Sequence, residues 1–313
     1  MNTATQSRAR LAAGLMLVSL ALACGPDPEP FAPDFSAVDA EIESFRAETM
    51  GVEGISVVIV DREHGILHTH DAGELTHDDE ELLTSTGMLA ATMVVLGLVD
   101  EGRLELDAPL AGAVPWAQSQ PEITLGHLLS HSSGLPGMSS HGFNYPAYAC
   151  EWDPATTLSE CAQELFAADF GEDRRPPGEV FQWGGGVWQV VGAAAEEVTG
   201  EPWAELVRQR LGEPCDVPSL RFVMPPFDPG AFDGNAAALP GADNPSISLG
   251  AVSSAEDFAA LLVALLQGGR CGGQTVLSPA MIEQMRVDRG STLDLGEPYG
   301  LGWSLGYDDD GRA

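Results

Sequence analysis

His127 and His131 stand four residues apart, a spacing that lets two imidazoles on one helical face grip a zinc ion. A zinc hydrolase of that pattern needs glutamate directly after the first histidine. This chain has Leu128 there, so the pair carries no hydrolytic reading. Gly184-Gly185-Gly186 has the freedom of a phosphate-cradling loop, but neither Lys nor Ser/Thr directly follows to hold the phosphate. Asp308-Asp309-Asp310 offers oxygens to calcium with too few further ligands behind it, and reads as a solvated turn. Asp78 to Glu81 reads in the same way, as a solvated acidic loop. Ser85, in Thr84-Ser85-Thr86 ahead of an apolar run, is by itself the pattern of a helix cap. No metal and no cofactor are expected. The sharpest restriction is a missing residue type, because all fourteen Lys+Arg cations are arginine. Lysine as base, Schiff-base former or phosphate anchor is excluded.

Those arginines face 47 acidic residues, a net charge of −33. Such a chain is repelled by nucleic acid and by anionic lipid headgroups, so neither is a partner surface. A hydrophobic content of 44%, with six Trp and eleven Phe, is that of a folded protein. A length of 313 residues suits one large domain or two small ones with an ample core.

The first residues read as an export signal, residues 1–23. Arg8 and Arg10 precede an apolar run over 11–23 that is too short to span a bilayer comfortably. Ala23-Cys24 resembles a bacterial lipoprotein cleavage site, at which Cys24 is lipidated and becomes the new N-terminus. The mature chain is then expected outside the cytoplasm, in the envelope or periplasm, touching membrane only through a lipid anchor. Export permits disulfides among Cys150, Cys161, Cys215 and Cys271, and the absence of CxxC spacing argues against zinc. Four cysteines allow three pairings. Cys150–Cys161 would close a short loop, and Cys215–Cys271 would then tie two distant segments; these are the expected bridges.

The elements that must position these residues follow from periodicity. Residues 24–35 are a Pro- and acid-rich linker. Residues 36–50 have helical spacing, with Val38, Ile42 and Phe45 on one face. Residues 55–60 form a buried-strand pattern, 61–65 a turn and 66–70 the hairpin partner. A long apolar helix over 86–101 is stopped by Gly102, and further helices are expected over 187–199, 203–211 and 255–267. Residues 299–307 read as a strand. This order predicts an α+β domain over 36–313, with a mostly helical lobe at about 108–276.

Five ordered stretches carry a resemblance. They are Leu98-Val99-Asp100-Glu101-Gly102-Arg103-Leu104; residues 123–136, ending Ser132-Ser133-Gly134-Leu135-Pro136; Pro177-Gly178; Glu197-Val198-Thr199-Gly200; and Tyr299-Gly300-Leu301-Gly302-Trp303. In these the chain resembles the serine β-lactamase-like family of class C β-lactamases, DD-peptidases and related esterases. The resemblance implies an antiparallel sheet flanked by helices, a helical second lobe and an active site in the cleft between them. With few residues after the Gly-Trp stretch, the sheet is expected to be incomplete.

The family works by acyl transfer through a serine ester, with a lysine one helical turn along taking the serine's proton. Alignment on Gly102 implies Ser85 as nucleophile and puts Met88 at the lysine position. A thioether neither accepts a proton at neutral pH nor stabilises an alkoxide. The family's Tyr-x-Asn motif falls on Trp183-Gly184-Gly185. Trp183 can only donate through its indole N–H, and Gly185 has no side chain to orient a substrate amide. The third motif, a Lys- or His-containing triplet on a later strand that supplies half of the oxyanion hole, has no counterpart before Ala313. The expectation is therefore a non-catalytic, exported, penicillin-binding-type lipoprotein that binds a peptidoglycan fragment or an envelope protein. The alternative is a residual or reprogrammed serine hydrolase using Ser85.

Overall fold

The computed structural model describes residue 31 and residues 33–137, 146–227 and 232–307. The export signal, Cys24, most of the linker and the Asp308–Asp310 turn lie outside the described residues. From Phe35 onward the chain forms one contact unit.

Helix α1 (Ser36–Glu48) leads into a hairpin of β1 (Gly54–Asp61) and β2 (Gly65–Gly73). The two strands are antiparallel, with a register shift between Ile59 and Val60. Helix α7 (Ala255–Leu266) covers β1, and α1 lies against β2. The buried-strand expectation fails here. No residue of β1 is fully buried, because the hairpin has no third strand among the described residues to close its edge. The apolar residues of α1 divide: Val38 is 41% and Phe45 56% exposed, while Ile42 is half-buried alongside Asp39 and Arg46.

The remaining strands are short. β3 (Glu81–Leu82) and β4 (Arg221–Phe222) flank β5 (Ala251–Ser253), and β6 (Arg270–Cys271) pairs with β7 (Gln274–Thr275). The acidic stretch before Ser85 is correspondingly less solvated than expected. Glu80 pairs with Arg221, and burial raises the pKa of Glu81. Residues 299–307 do not form a strand. Gly302, at φ +77°, turns the chain back so that Tyr299 bridges Ser304. A Cβ at Gly302 would fall 2.0 Å from Thr92 Oγ1, so only glycine lets this turn lie against the central helix.

That central helix is α2 (Met88–Asp100), entered through a 3-10 turn over Thr84–Gly87. Every residue from Met88 to Leu98 is buried, as an all-round apolar helix requires. Around it pack α3 (Leu125–Leu129), α4 (Leu158–Ala167), α5 (Trp188–Thr199), α6 (Trp203–Val207) and α8 (Pro279–Met285), in one continuous core. The expected helix over 203–211 continues beyond α6 as a wider π-turn, Arg208–Gly212. Both expected disulfides are formed, Cys150–Cys161 and Cys215–Cys271.

Candidate active site

Ser85 sits in the turn that opens α2. The turn is fastened to β5 by Leu83 N–H donating to Ala251 O at 2.8 Å. It lies so close that a Cβ on Gly87 would come within 2.1 Å of Ala251 Cβ. Thr84, just before the serine, adopts φ +48°. That left-handed conformation is costly for a β-branched residue and is typical of over-determined, functional turns. Ser85 itself is half-buried. No described residue makes a hydrogen bond with its hydroxyl. One turn along, Met88 is 1% exposed and belongs to the core. The position that the resemblance assigns to the proton acceptor is thus filled by a buried thioether.

Trp183 and Gly184 are bound to His131. His131, at φ +55°, lies beyond the end of α3, so it shares no helical face with His127. Gly184 N–H donates to His131 Nδ1 at 3.4 Å, which leaves Nε2 as the protonated nitrogen facing Tyr299 Oη at 3.2 Å. Gln182 N–H donates to His131 O at 2.8 Å. The Trp183 ring stands 5.8 Å from the imidazole, and Phe181 and Trp188 complete an aromatic cage. Burial lowers the His131 pKa to about 3, so the imidazole is neutral. Burial raises the Tyr299 phenol, with a hydrogen bond from Trp183 acting the other way. His127 instead closes a capping box with Thr124 at the start of α3. The two histidines are structural and separate.

Gly185 faces a polar pocket that the sequence did not reveal. Ser246 Oγ donates to Glu151 Oε1 at 2.7 Å and Ser248 Oγ at 3.3 Å. Glu151 is 4% exposed, and burial raises its pKa against the pull of the two hydroxyls. A Cβ on Gly185 would lie 2.5 Å from Ser248 Oγ and 3.9 Å from Glu151 Oε1. Nearby, Asn244 Nδ2 donates to Cys150 O at 2.7 Å and Gln189 Nε2 donates to Asn244 Oδ1 at 2.8 Å. This network joins α5 to the segment held by the Cys150–Cys161 bridge. The only sequence signal was a lone carboxylate between Cys150 and Trp152, with two serines flanking Ile247 at Ser246 and Ser248.

The motif stretches converge through backbone hydrogen bonds. Gly178 N–H donates to Ser132 O at 2.8 Å, and Gly302 N–H to Leu129 O at 2.9 Å. Two of the stretches are thereby tied to a third, the one that contains α3. A groove of 640 Å³ lies elsewhere, between Val60, α7, α8 and Trp303, and none of Ser85, Met88, Trp183 or Gly185 lines it.

Comparison with known proteins agrees with this arrangement. Residues 46–313 match the family described as Beta-lactamase. Penicillin-binding protein 4 of Amycolatopsis lactamdurans is 27% identical over 269 residues, covering 79% of this chain and 68% of the relative. Esterase EstB of Burkholderia gladioli is 25% identical over 336 residues, 90% of this chain and 82% of the relative. The crystal structure of a β-lactamase-like protein from Bacteroides dorei superposes with a TM-score of 0.71 at 24% identity, over 90% of this chain and 82% of that one. With a family match running from Arg46 to the last residue and the same fold in solved structures, the chain belongs to the β-lactamase family.

Proposed function

We propose that this protein is a non-catalytic member of the family, exported and anchored by lipid at Cys24, which uses the scaffold to hold a peptidoglycan fragment or an envelope protein. One observation carries the reading: the residue one turn after Ser85 is Met88, buried in the core, and no described group lies within hydrogen-bonding reach of the Ser85 hydroxyl. A serine hydroxyl attacks quickly only when a base takes its proton in the transition state. Trp183 cannot act as that relay, and the chain has no lysine to replace it. General acid–base groups typically contribute roughly 10²–10⁴-fold, so their loss leaves little of the chemistry.

Intact-mass measurement after incubation with a fluorescent penicillin, and separately with a fluorophosphonate, tests this. No covalent adduct is expected. A single adduct mapped to Ser85 and abolished by Ser85→Ala would overturn the reading. Anchoring is tested separately, since Cys24→Ser should move the protein from the membrane fraction to the soluble one.

A second reading, a reprogrammed hydrolase using Ser85, draws on Glu151. Its buried carboxyl has a raised pKa and stands beside Gly185, where the family keeps a substrate-orienting amide. The relatives named as a penicillin-binding protein and as an esterase are consistent with acyl transfer in the family. Hydrolysis of a p-nitrophenyl ester that Ser85→Ala and Glu151→Gln each abolish would favour it.

A further inference from the structure

The face that α1 turns toward the hairpin is polar apart from Ile42, which is unusual for a helix that must be held by packing. None of its residues is fully buried, and its apolar side chains Val38 and Phe45 face outward. What meets β2 instead is Asp39, with Glu43 one turn on. Across from them are His68 and His70, which lie on one face of β2 because alternate residues of a strand point the same way. His68 Nε2 is 2.6 Å from Asp39 Oδ1, His70 Nδ1 is 3.4 Å from the same oxygen, and His70 Nε2 is 3.6 Å from Glu43 Oε1. One ligand atom each from Asp39, His68 and His70 falls within 4.8 Å of the others. His70 Nε2 is buried without a hydrogen-bond partner, and Phe35 stacks on the His68 ring at 4.8 Å, fixing its plane.

We propose that Asp39, His68 and His70 form a zinc site that clamps α1 to β2. Two imidazoles and a carboxylate are the donor set of zinc, whereas magnesium and calcium take oxygen donors. Zinc–ligand distances of about 2.0–2.2 Å in a tetrahedral site separate neighbouring ligand atoms by roughly 3.3–3.5 Å. The His70–Asp39 distance already suits such a site, and the His68–Asp39 contact must open by somewhat under an ångström to admit the ion. Water would take the fourth position, and Glu43, which faces His70 Nε2, would accept from that ring's other nitrogen and orient it. Arg46 Nη2 lies 3.4 Å from Glu43 Oε2 and competes for that carboxylate, so this outer support is weak. The strong negative charge of the whole chain draws cations in, while the two imidazoles select among them.

The test is zinc titration of the chelator-treated full chain by calorimetry, with melting curves at each step. One zinc per chain is expected, with a rise in Tm reversed by EDTA and no rise with magnesium. His68→Gln and His70→Gln should each weaken binding by at least tenfold, following the cost of a lost first ligand or its support. His77→Gln should leave it unchanged; His77, with Asp78 and Glu256 each at 3.7 Å, forms a separate and more exposed group. Absence of saturable binding, or equal affinity in His68→Gln and wild type, would overturn the proposal. Should the variants misfold, diethylpyrocarbonate footprinting of the wild-type protein decides. Zinc should protect His68 and His70 and spare His77, and modification of His68 and His70 unchanged by zinc would overturn the site.

Discussion

Ser248 Oγ stands where a side chain on Gly185 would begin, 2.5 Å from the position of its Cβ. A side chain at this position is therefore excluded by the packing, because the hydroxyl, held by Glu151, occupies the space.

Gly185→Asn should consequently destabilise the protein by about 1–3 kcal/mol through overpacking, measured as a shift in urea midpoint. Ser248→Gly in the same chain should recover part of the loss, giving a non-zero coupling in a double-mutant cycle. Additive effects would mean that the two positions are not in contact.

Met88→Lys should not create an active enzyme. Its side chain would have to enter the core of α2 residues or be expelled from it, and an unpaired ammonium there costs more than about 2 kcal/mol. We expect a lowered Tm and no turnover of a chromogenic cephalosporin. Rapid turnover by this single variant would show that the rest of the site is intact.

His131 should make stability fall with acid. Its pKa is held at about 3 when folded, against 6.5 for the free side chain, so between these values the unfolded chain binds the extra proton. The contribution is complete above pH 6.5 and is lost as pH falls toward 3. At about 1.4 kcal/mol per pKa unit, the full window is worth up to roughly 5 kcal/mol. His131→Asn, which tolerates the left-handed backbone, should be less stable at pH 7 and lose stability less steeply between pH 7 and 4. Identical slopes for the two proteins in urea titrations would contradict this.

The four body cysteines should resist alkylation under denaturing, non-reducing conditions and react fully after reduction. Replacing Cys150 and Cys161 by alanine should cost about 2–4 kcal/mol. The same change should also loosen the Asn244 contact to Cys150 O, seen as faster hydrogen exchange around Gln189.

Much of this protein was legible in the chain alone. The apolar helix behind Ser85 and its stop at Gly102 follow from local patterns that tertiary structure had no reason to override. Gly102 adopts φ +70°, as a helix terminator should. The family could be read from the stretches around His131 and Trp303. The cysteine pairs followed from even count and spacing.

Only tertiary structure decided which way the ambiguous faces turned. The periodicity of α1 fits two orientations, and the one adopted exposes Val38 and Phe45 while bringing Asp39 to His68 and His70, residues about thirty positions away. Residues 299–307 have a strand's composition but no strand neighbour among the described residues, and a strand without a partner cannot satisfy its backbone. Glu151, Ser246 and Ser248 are unremarkable one by one; they became a site because the Cys150–Cys161 segment and the loop before β5 meet beside Gly185. Sequence pattern reports what a residue is and what stands within a turn or two of it. Contacts across a hundred residues depend on how whole elements pack, and these three residues have no local periodicity that encodes it.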